Sequence, residues 1–436
     1  MPTDGTSRIM MLSLHGYVSG HPELGRPDTG GQVVYVLELS RRLAGLGYAV
    51  DIFTRRFEDQ PAVEPLGEGV RIVRIPAGGP HLIRKEWMCE AVPEWVSAAH
   101  AFIRRHGLVY AAIDSHYWDA GLAGTALARL LAIPHLHTPH SLGAWKRDSM
   151  DGDPADLDRQ YNFARRIREE RSICHAAEAV VATSPQQREL LVVDPYRVDP
   201  RRIAVVPAGY DASRFFPVSP RRRAELRRGA GIEGPLVLAL GRVAANKGYD
   251  LLLRAMPAVL QRVPDARLLL AVGSTSPTPG EARQVDDLRA LTAELGIADR
   301  VDVHDYVPDD ALADTYRMAD VFALSSRYEP FGMTAVEAMA CGTPAVVTTA
   351  GGLWEMVTYG TQAIYADPLD PPAFGLAIAT VLRYPRIAQR LARSGARRVR
   401  TAFTWSAIAA ELDRLIRAAG RHHGDARALR RMDLAG

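Results

Sequence analysis

The sequence predicts an α/β protein built from two doubly wound domains, each a parallel sheet with helices on both faces. Three observations carry this. Short apolar, β-branched runs alternate with amphipathic helical patterns along the chain. The alternation stops once, at the Pro-, Gly- and Ser-rich segment 207–220 (PAGYDASRFFPVSP), and then resumes. The chain has 436 residues, too many for one core of about 100–200.

In the first half the candidate strands are 9–14, 50–54, 70–75, 111–115, 135–138, 180–183 and 203–206. Helical patterns at 33–46 and 86–106 lie between them. The segment 207–220 reads as an interdomain linker. Strands follow at 236–240, 267–272, 301–304, 321–324, 345–348 and 363–365, with helices near 248–262, 281–295, 311–318 and 333–340. A last helical pattern covers 405–419, and the polar tail 421–436 is expected to fray. The expected division is 1–215, 216–402 and a terminal piece 403–436. Both domains are Rossmann-like. Ligands of such sheets bind beyond the carboxyl ends of the strands, so sites are expected on loops after strands, in a cleft between facing domains.

Composition removes several function classes. With 53 basic and 50 acidic residues the net charge is +3, which gives no global field for nucleic acid. Cys89, Cys174 and Cys341 lie far apart, so neither a disulfide framework nor a zinc site is expected. No apolar run reaches the ~18 residues of a membrane span. The start, 1–8, carries an acid and lacks a basic segment, and the apolar stretch after it is too short for a signal peptide. A cytoplasmic location is expected by elimination. Only three of the basic residues are lysines, Lys85, Lys146 and Lys247. A lysine kept in so arginine-rich a chain suggests a need for a compact point charge.

Six stretches follow strands or open helices. The first runs from His15-Gly16 to Pro27-Asp28-Thr29-Gly30-Gly31-Gln32. A Gly-Gly pair at a helix start lets backbone N–H groups approach an anion, although a tight turn needs the same residues. This loop is not Gly-x-Gly-x-x-Gly, so it carries no dinucleotide fingerprint. Ser115-His116-Tyr117-Trp118-Asp119 follows a strand, as does Thr138-Pro139-His140-Ser141, with Lys146 close behind. His140 at a strand mouth is a ligand candidate, or else a satisfied core histidine. Lys85, Lys146, Arg165 and Arg166 are placed to converge on a dianion, or else to form a solvated helix face. Gly241-Arg242 and Asn246-Lys247-Gly248 suit a diphosphate, with no metal needed to neutralise it. Glu329 and Glu337 lie eight residues apart around Phe331-Gly332-Met333-Thr334. Amides there can hold a phosphate while the carboxylates accept from sugar hydroxyls. Asp151-Gly152-Asp153 reads as helix-start acids rather than a metal site.

The runs LSLHGYVSGHPELGRPDTGGQVVYVLELSRRL, HTPHSLGAWK and SSRYEPFGMTAVEAMACGTPAVVT resemble the retaining, GT-B glycosyltransferases of the glycosyltransferase 4 family. The resemblance covers about 9–419. It implies transfer of a hexose from a nucleotide sugar to fructose 6-phosphate, with 1–215 binding the acceptor and 216–402 the donor. The first run and the segment 55–60 (RRFEDQ) favour GDP-mannose and a mannosylfructose phosphate product; the alternative is UDP-glucose giving sucrose 6-phosphate. More distant alternatives are an NAD(P)-linked oxidoreductase and a non-catalytic nucleotide-sugar sensor. By resemblance, Gly30, Gly31 and Gln32 meet the donor phosphate and the acceptor, and Arg242 and Lys247 hold the diphosphate. Glu329 would hold the donor hexose, Glu337 the ribose, and Phe331, Gly332, Met333 and Thr334 would present amides. His140 lies near the reacting centre, and the base is read around Tyr306 and Val307. Tyr117, Ser141, Lys146, Arg165, Arg166 and Lys85 fall on the acceptor-phosphate side. His140, Arg242, Lys247 and Glu329 are the expected catalytic set. No motif requires a cofactor, which leaves room for stimulation by Mg²⁺.

Overall fold

The structure, a computed structural model, describes residues 6–20, 31–150, 152–273, 277–304 and 306–433. It divides into two compact units. The first contains Pro27–Pro207, the N-terminal strand and Trp405–Gly436; the second contains Ala208–Thr404.

The first unit runs β1 (Arg8–Leu12), α1 (Gly31–Gly45), β2 (Ala49–Arg56), β3 (Val63–Gly67), β4 (Val70–Pro76), α2 (Val92–Arg105), β5 (Ala112–His116), α3 (Trp118–Leu131), β6 (His135–Thr138), α4 (Gly143–Asp148), α5 (Pro154–Tyr161), α6 (Phe163–Ala176), β7 (Ala179–Ala182), α7 (Pro185–Val192) and β8 (Ile203–Val205). Its strands form one sheet in the order β3-β4-β2-β1-β5-β6-β7-β8. All pairings are parallel except β3 with β4. From β1 the chain builds outward through β2 and β4, then returns to add β5 on the other side. The switch point therefore lies between the carboxyl ends of β1 and β5. Met10, Leu12, Phe53 and Ile113 pack against Trp95 and Ala99 of α2 and Ala123 and Leu127 of α3.

The second unit runs α8 (Pro220–Gly229), β9 (Leu236–Gly241), α9 (Tyr249–Leu260), β10 (Arg267–Val272), α10 (Pro279–Glu294), β11 (Val301–His304), α11 (Asp309–Met318), β12 (Val321–Leu324), α12 (Met333–Ala340), β13 (Ala345–Thr348), β14 (Ile364–Ala366), α13 (Pro371–Arg383) and α14 (Pro385–Ala402). Its parallel sheet has the order β11-β10-β9-β12-β13-β14, with the switch point between β9 and β12. Val237, Ala239, Leu268, Leu270 and Val321 pack against Leu252, Met256, Phe374 and Ile378. The last helix, α15 (Trp405–Asp433), belongs to the first unit. There Asp413 accepts a 2.6 Å bond from the Tyr48 hydroxyl, and Trp405 meets Tyr35 edge-on.

Segment 207–220 spans the boundary between the two units at Pro207 and Ala208, and from Ala208 on it packs within the second unit. Tyr210 N–H donates to the Phe403 carbonyl, and Arg317 donates to the carbonyls of Arg214 and Phe216. Three points of the sequence reading need correction. The helical pattern 86–106 breaks into a short turn, Met88–Glu90, and α2, because Pro93 is placed in a first helical turn. Strand β3 (VEPLG) was not expected; it is a half-exposed antiparallel edge that tolerates Pro65. The helix at 405 continues to Asp433 instead of fraying at 421.

Candidate active site

The two switch points gather most of the expected residues, one set in each unit. In the second unit the loops after β9 and β12 are adjacent because those strands are neighbours. They are laced together. Asn246 Nδ2 donates to the Tyr328 carbonyl at 3.1 Å, Arg327 N–H donates to the Asn246 carbonyl at 2.8 Å, and Arg327 forms a two-pronged bond to Asp250. Gly248 has φ +63°, and any Cβ there would collide with the Ser325 carbonyl oxygen, so only glycine lets the loops approach so closely.

Lys247 Nζ donates to Glu329 Oε2 at 2.6 Å, and Ser326 Oγ donates to the same oxygen at 3.2 Å. Arg242 follows β9, exposed and in no ion pair among the described residues. Gly332 (φ +102°) turns the chain into α12, so the N–H groups of Met333 and Thr334 open that helix with no side-chain cap. Phe331 is buried edge-on against Phe403. Glu337 stands one turn in, accepting from the Tyr316 hydroxyl at 2.8 Å. Burial pushes its carboxyl up to about 7; the Tyr316 bond and Arg214 oppose that, and Asp309 adds to it. Val307, half-buried, lies in the loop between β11 and α11, two strands from β9. An anion site of cations and helix amides, flanked by two carboxylates, is what this unit offers.

In the first unit, Gln32 in the first turn of α1 donates through Nε2 to Ser13 Oγ and to the His116 carbonyl, both at 3.2 Å. It thus ties the ends of β1 and β5. Gly31 is exposed beside it, and Gly30 lies outside the described residues. Tyr117 (φ +76°) follows β5 and is buried, its ring 4.6 Å from His15 and 4.7 Å from the Arg166 guanidinium. His15 Nδ1 in turn contacts Asp119 Oδ2 at 2.8 Å. His140 (φ +59°) follows β6, partly buried, with Nε2 at 2.9 Å from His116 Nδ1. Burial, and then neighbouring imidazoles, hold the His140 pKa well below the usual histidine range, so it is neutral.

The cations of this unit are less uniform than expected. Arg166 is buried and donates to Glu170 at 2.7 Å and to the Ser141 carbonyl and hydroxyl at 2.9 and 2.8 Å. Glu170 also accepts from Gly143 N–H and the Tyr196 hydroxyl. Arg166 therefore braces the β6–α4 loop, and its charge is already balanced. Lys146 Nζ sits over the Tyr161 ring at 4.6 Å, Lys85 is 3.7 Å from Glu86, and half-exposed Arg165 is 3.9 Å from Glu90. Asn162 joins these segments by donating to the Glu86 carbonyl.

Asp153 caps α5, accepting from Ala155 and Asp156 N–H, as helix-start acids do; Asp151 lies outside the described residues. Among the described residues no group of three or more His, Cys, Asp or Glu is placed to hold a metal ion, and no helix is long and apolar enough to cross a membrane. The sequence reading named His116 within a candidate stretch but gave it no role, and it missed Asp114 and the Glu170–Tyr196 brace. Asp114 and His116 had a signal: two polar residues at i and i+2 on a strand otherwise expected in the core.

Residues 29–214 match the family described as Glycosyltransferase Family 4, residues 223–398 match Glycosyl transferases group 1, and residues 5–47 match the first GT-B domain of sucrose synthase. The chain is 49% identical over 418 residues to mannosylfructose-phosphate synthase of Agrobacterium fabrum, covering 95% of this chain and 92% of that protein. It is 35% identical over 419 residues to a D-inositol 3-phosphate glycosyltransferase of Xylanimonas cellulosilytica, covering 94% and 97%. Among solved structures, sucrose-phosphate synthase from Thermosynechococcus elongatus matches with a TM-score of 0.84 at 32% identity, over 94% of this chain and 98% of that one. With both switch-point sites lying inside these matches, the chain belongs to the group 1, family 4 glycosyltransferases and has their GT-B fold.

Proposed function

We propose that this chain is a retaining hexosyltransferase that moves a hexose from GDP-mannose to fructose 6-phosphate, giving mannosylfructose phosphate. The observation that carries the reading is the 49% identity to mannosylfructose-phosphate synthase across both units, not across one domain alone.

In this reading the second unit binds the donor. Arg242, Lys247 and the amides opening α12 take the diphosphate, and Glu337 accepts from the ribose hydroxyls. Glu329, held by Lys247 and Ser326, accepts from the hexose hydroxyls once Lys247 turns to the phosphate. The first unit binds fructose 6-phosphate, its phosphate taken by Lys146 with Lys85 and Arg165, and its ring near Gln32, Tyr117 and Ser141. The acceptor hydroxyl attacks the anomeric carbon on the face from which the diphosphate leaves. The new C–O bond forms as the bond to phosphate breaks, and the hydroxyl proton passes to a phosphate oxygen. Charge on the departing diphosphate is the main thing stabilised, by Lys247 and Arg242. His140 orients a hydroxyl. A cytoplasmic location goes with the reading.

The second reading is UDP-glucose as donor with sucrose 6-phosphate as product, favoured by the match to the sucrose-phosphate synthase structure. The test is incubation of fructose 6-phosphate with GDP-mannose or with UDP-glucose and identification of the disaccharide phosphate. Mannosylfructose phosphate from GDP-mannose is expected. Turnover with UDP-glucose alone installs the second reading, and no product with either sinks both.

A further inference from the structure

We infer that Asp114 and His116 are positioning residues that fix His140 in its Nε2–H form, so that Nδ1 of His140 is presented as a hydrogen-bond acceptor to a substrate hydroxyl. The role of that hydroxyl rests on the function proposed above; the state of the imidazole does not.

The inference starts from an anomaly. Asp114 lies on the central strand β5 and is fully buried, yet neither carboxylate oxygen has a hydrogen-bond partner among the described residues. A buried acceptor left unbonded is costly, so its presence asks for a reason. On the same face of β5, two residues on, is His116, also fully buried. Its Nε2 is 3.4 Å from Asp114 Oδ2 and 2.7 Å from Met11 Sδ on β1. A carboxyl oxygen that carries no hydrogen and a thioether sulfur both accept. Nε2 between them therefore carries the hydrogen.

The rest follows from counting protons. A neutral imidazole has one N–H. With it on Nε2, His116 Nδ1 is a bare lone pair, and 2.9 Å away is His140 Nε2, which must then be the donor. His140 Nδ1 is left without hydrogen. Nδ1 makes no hydrogen bond among the described residues, and the ring is partly exposed at the end of β6. Tyr35 of α1 packs edge-on at 5.0 Å from the His140 ring, and His137 and His15 stand near enough to act on it electrostatically. The left-handed backbone at His140, uncommon in a non-glycine residue, aims the ring. The chain thus sets a local tautomer from a carboxylate two side chains away.

Two measurements test this on the full chain. The first is ¹⁵N NMR of histidine-labelled protein without substrate. His116 and His140 should each carry hydrogen on Nε2 only; a second proton on His116, or hydrogen on Nδ1 of His140, overturns the inference. The second is a pair of variants, assayed with whichever donor the wild type turns over. Asp114→Leu should lower kcat about tenfold or more with smaller changes in either KM. Its Tm should hold or rise, because an unbonded buried carboxylate is being replaced by an apolar side chain. Asp114→Asn keeps an accepting oxygen and should stay within about threefold of wild type. A kcat unchanged in Asp114→Leu, or one lost together with Tm, assigns the residue to the fold alone. The NMR result does not depend on substrate, so failure of the proposed acceptor and failure of the tautomer are read separately.

Discussion

The two units place their sites by the same topological rule and build them from opposite materials. Each has one switch point, between β1 and β5 in the first and between β9 and β12 in the second. At the second, the cations lie on loops near solvent, Arg242 exposed and Lys247 paired with Glu329 in a contact it can leave. At the first, they are tied into the core through Asp114, His116, Arg166 and Glu170, all buried. In the proposed reading, charge that is to be given to a ligand stays near solvent with a partner it can leave. Charge that shapes a loop is buried and held by several bonds.

That contrast can be broken most strongly at Glu170. Glu170→Ala leaves Arg166 buried without its carboxylate and should cost about 3–5 kcal/mol of stability by urea titration, with activity lost through unfolding. Lys247→Ala should do the reverse. It should lower kcat/KM for the donor by about 10²–10³ with little change in Tm, because the Lys247–Glu329 pair is partly exposed. Near-normal turnover there removes Lys247 from the diphosphate site.

Smaller effects sharpen the comparison. Lys146→Ala should raise the KM for fructose 6-phosphate about tenfold and leave the donor KM alone; an unchanged acceptor KM takes Lys146 out of the phosphate site. Burial pushes the Glu337 carboxyl up to about 7, and in the proposed reading its ionised form accepts from the ribose hydroxyls. The donor KM should therefore rise about tenfold from pH 8 to pH 6, and Glu337→Gln should flatten that profile. Asp153→Ala should cost only a cap, about 1 kcal/mol, and leave turnover and any Mg²⁺ response as they were.

The second unit's candidate site was largely legible in the sequence because its parts are local. Gly332, the α12 amides and Glu337 sit within six consecutive residues, and Asn246-Lys247-Gly248 is one loop. The first unit's site was read less completely. Arg165 and Arg166 are adjacent in sequence, yet one is half-exposed beside Glu90 and the other is locked to Glu170. Helical rotation of about 100° per residue separates them, and only the packed neighbours say which side is core.

From the residues alone came the alternating strands and helices, the two doubly wound units, and the candidate phosphate-binding loops, because hydrophobic period and glycine placement are local properties of the chain. The folded chain decided which strands are neighbours, which cations already have partners, and that Asp114, His116 and His140 stand in line. Those depend on contacts between residues far apart in sequence, whose distances no pattern along one strand can fix.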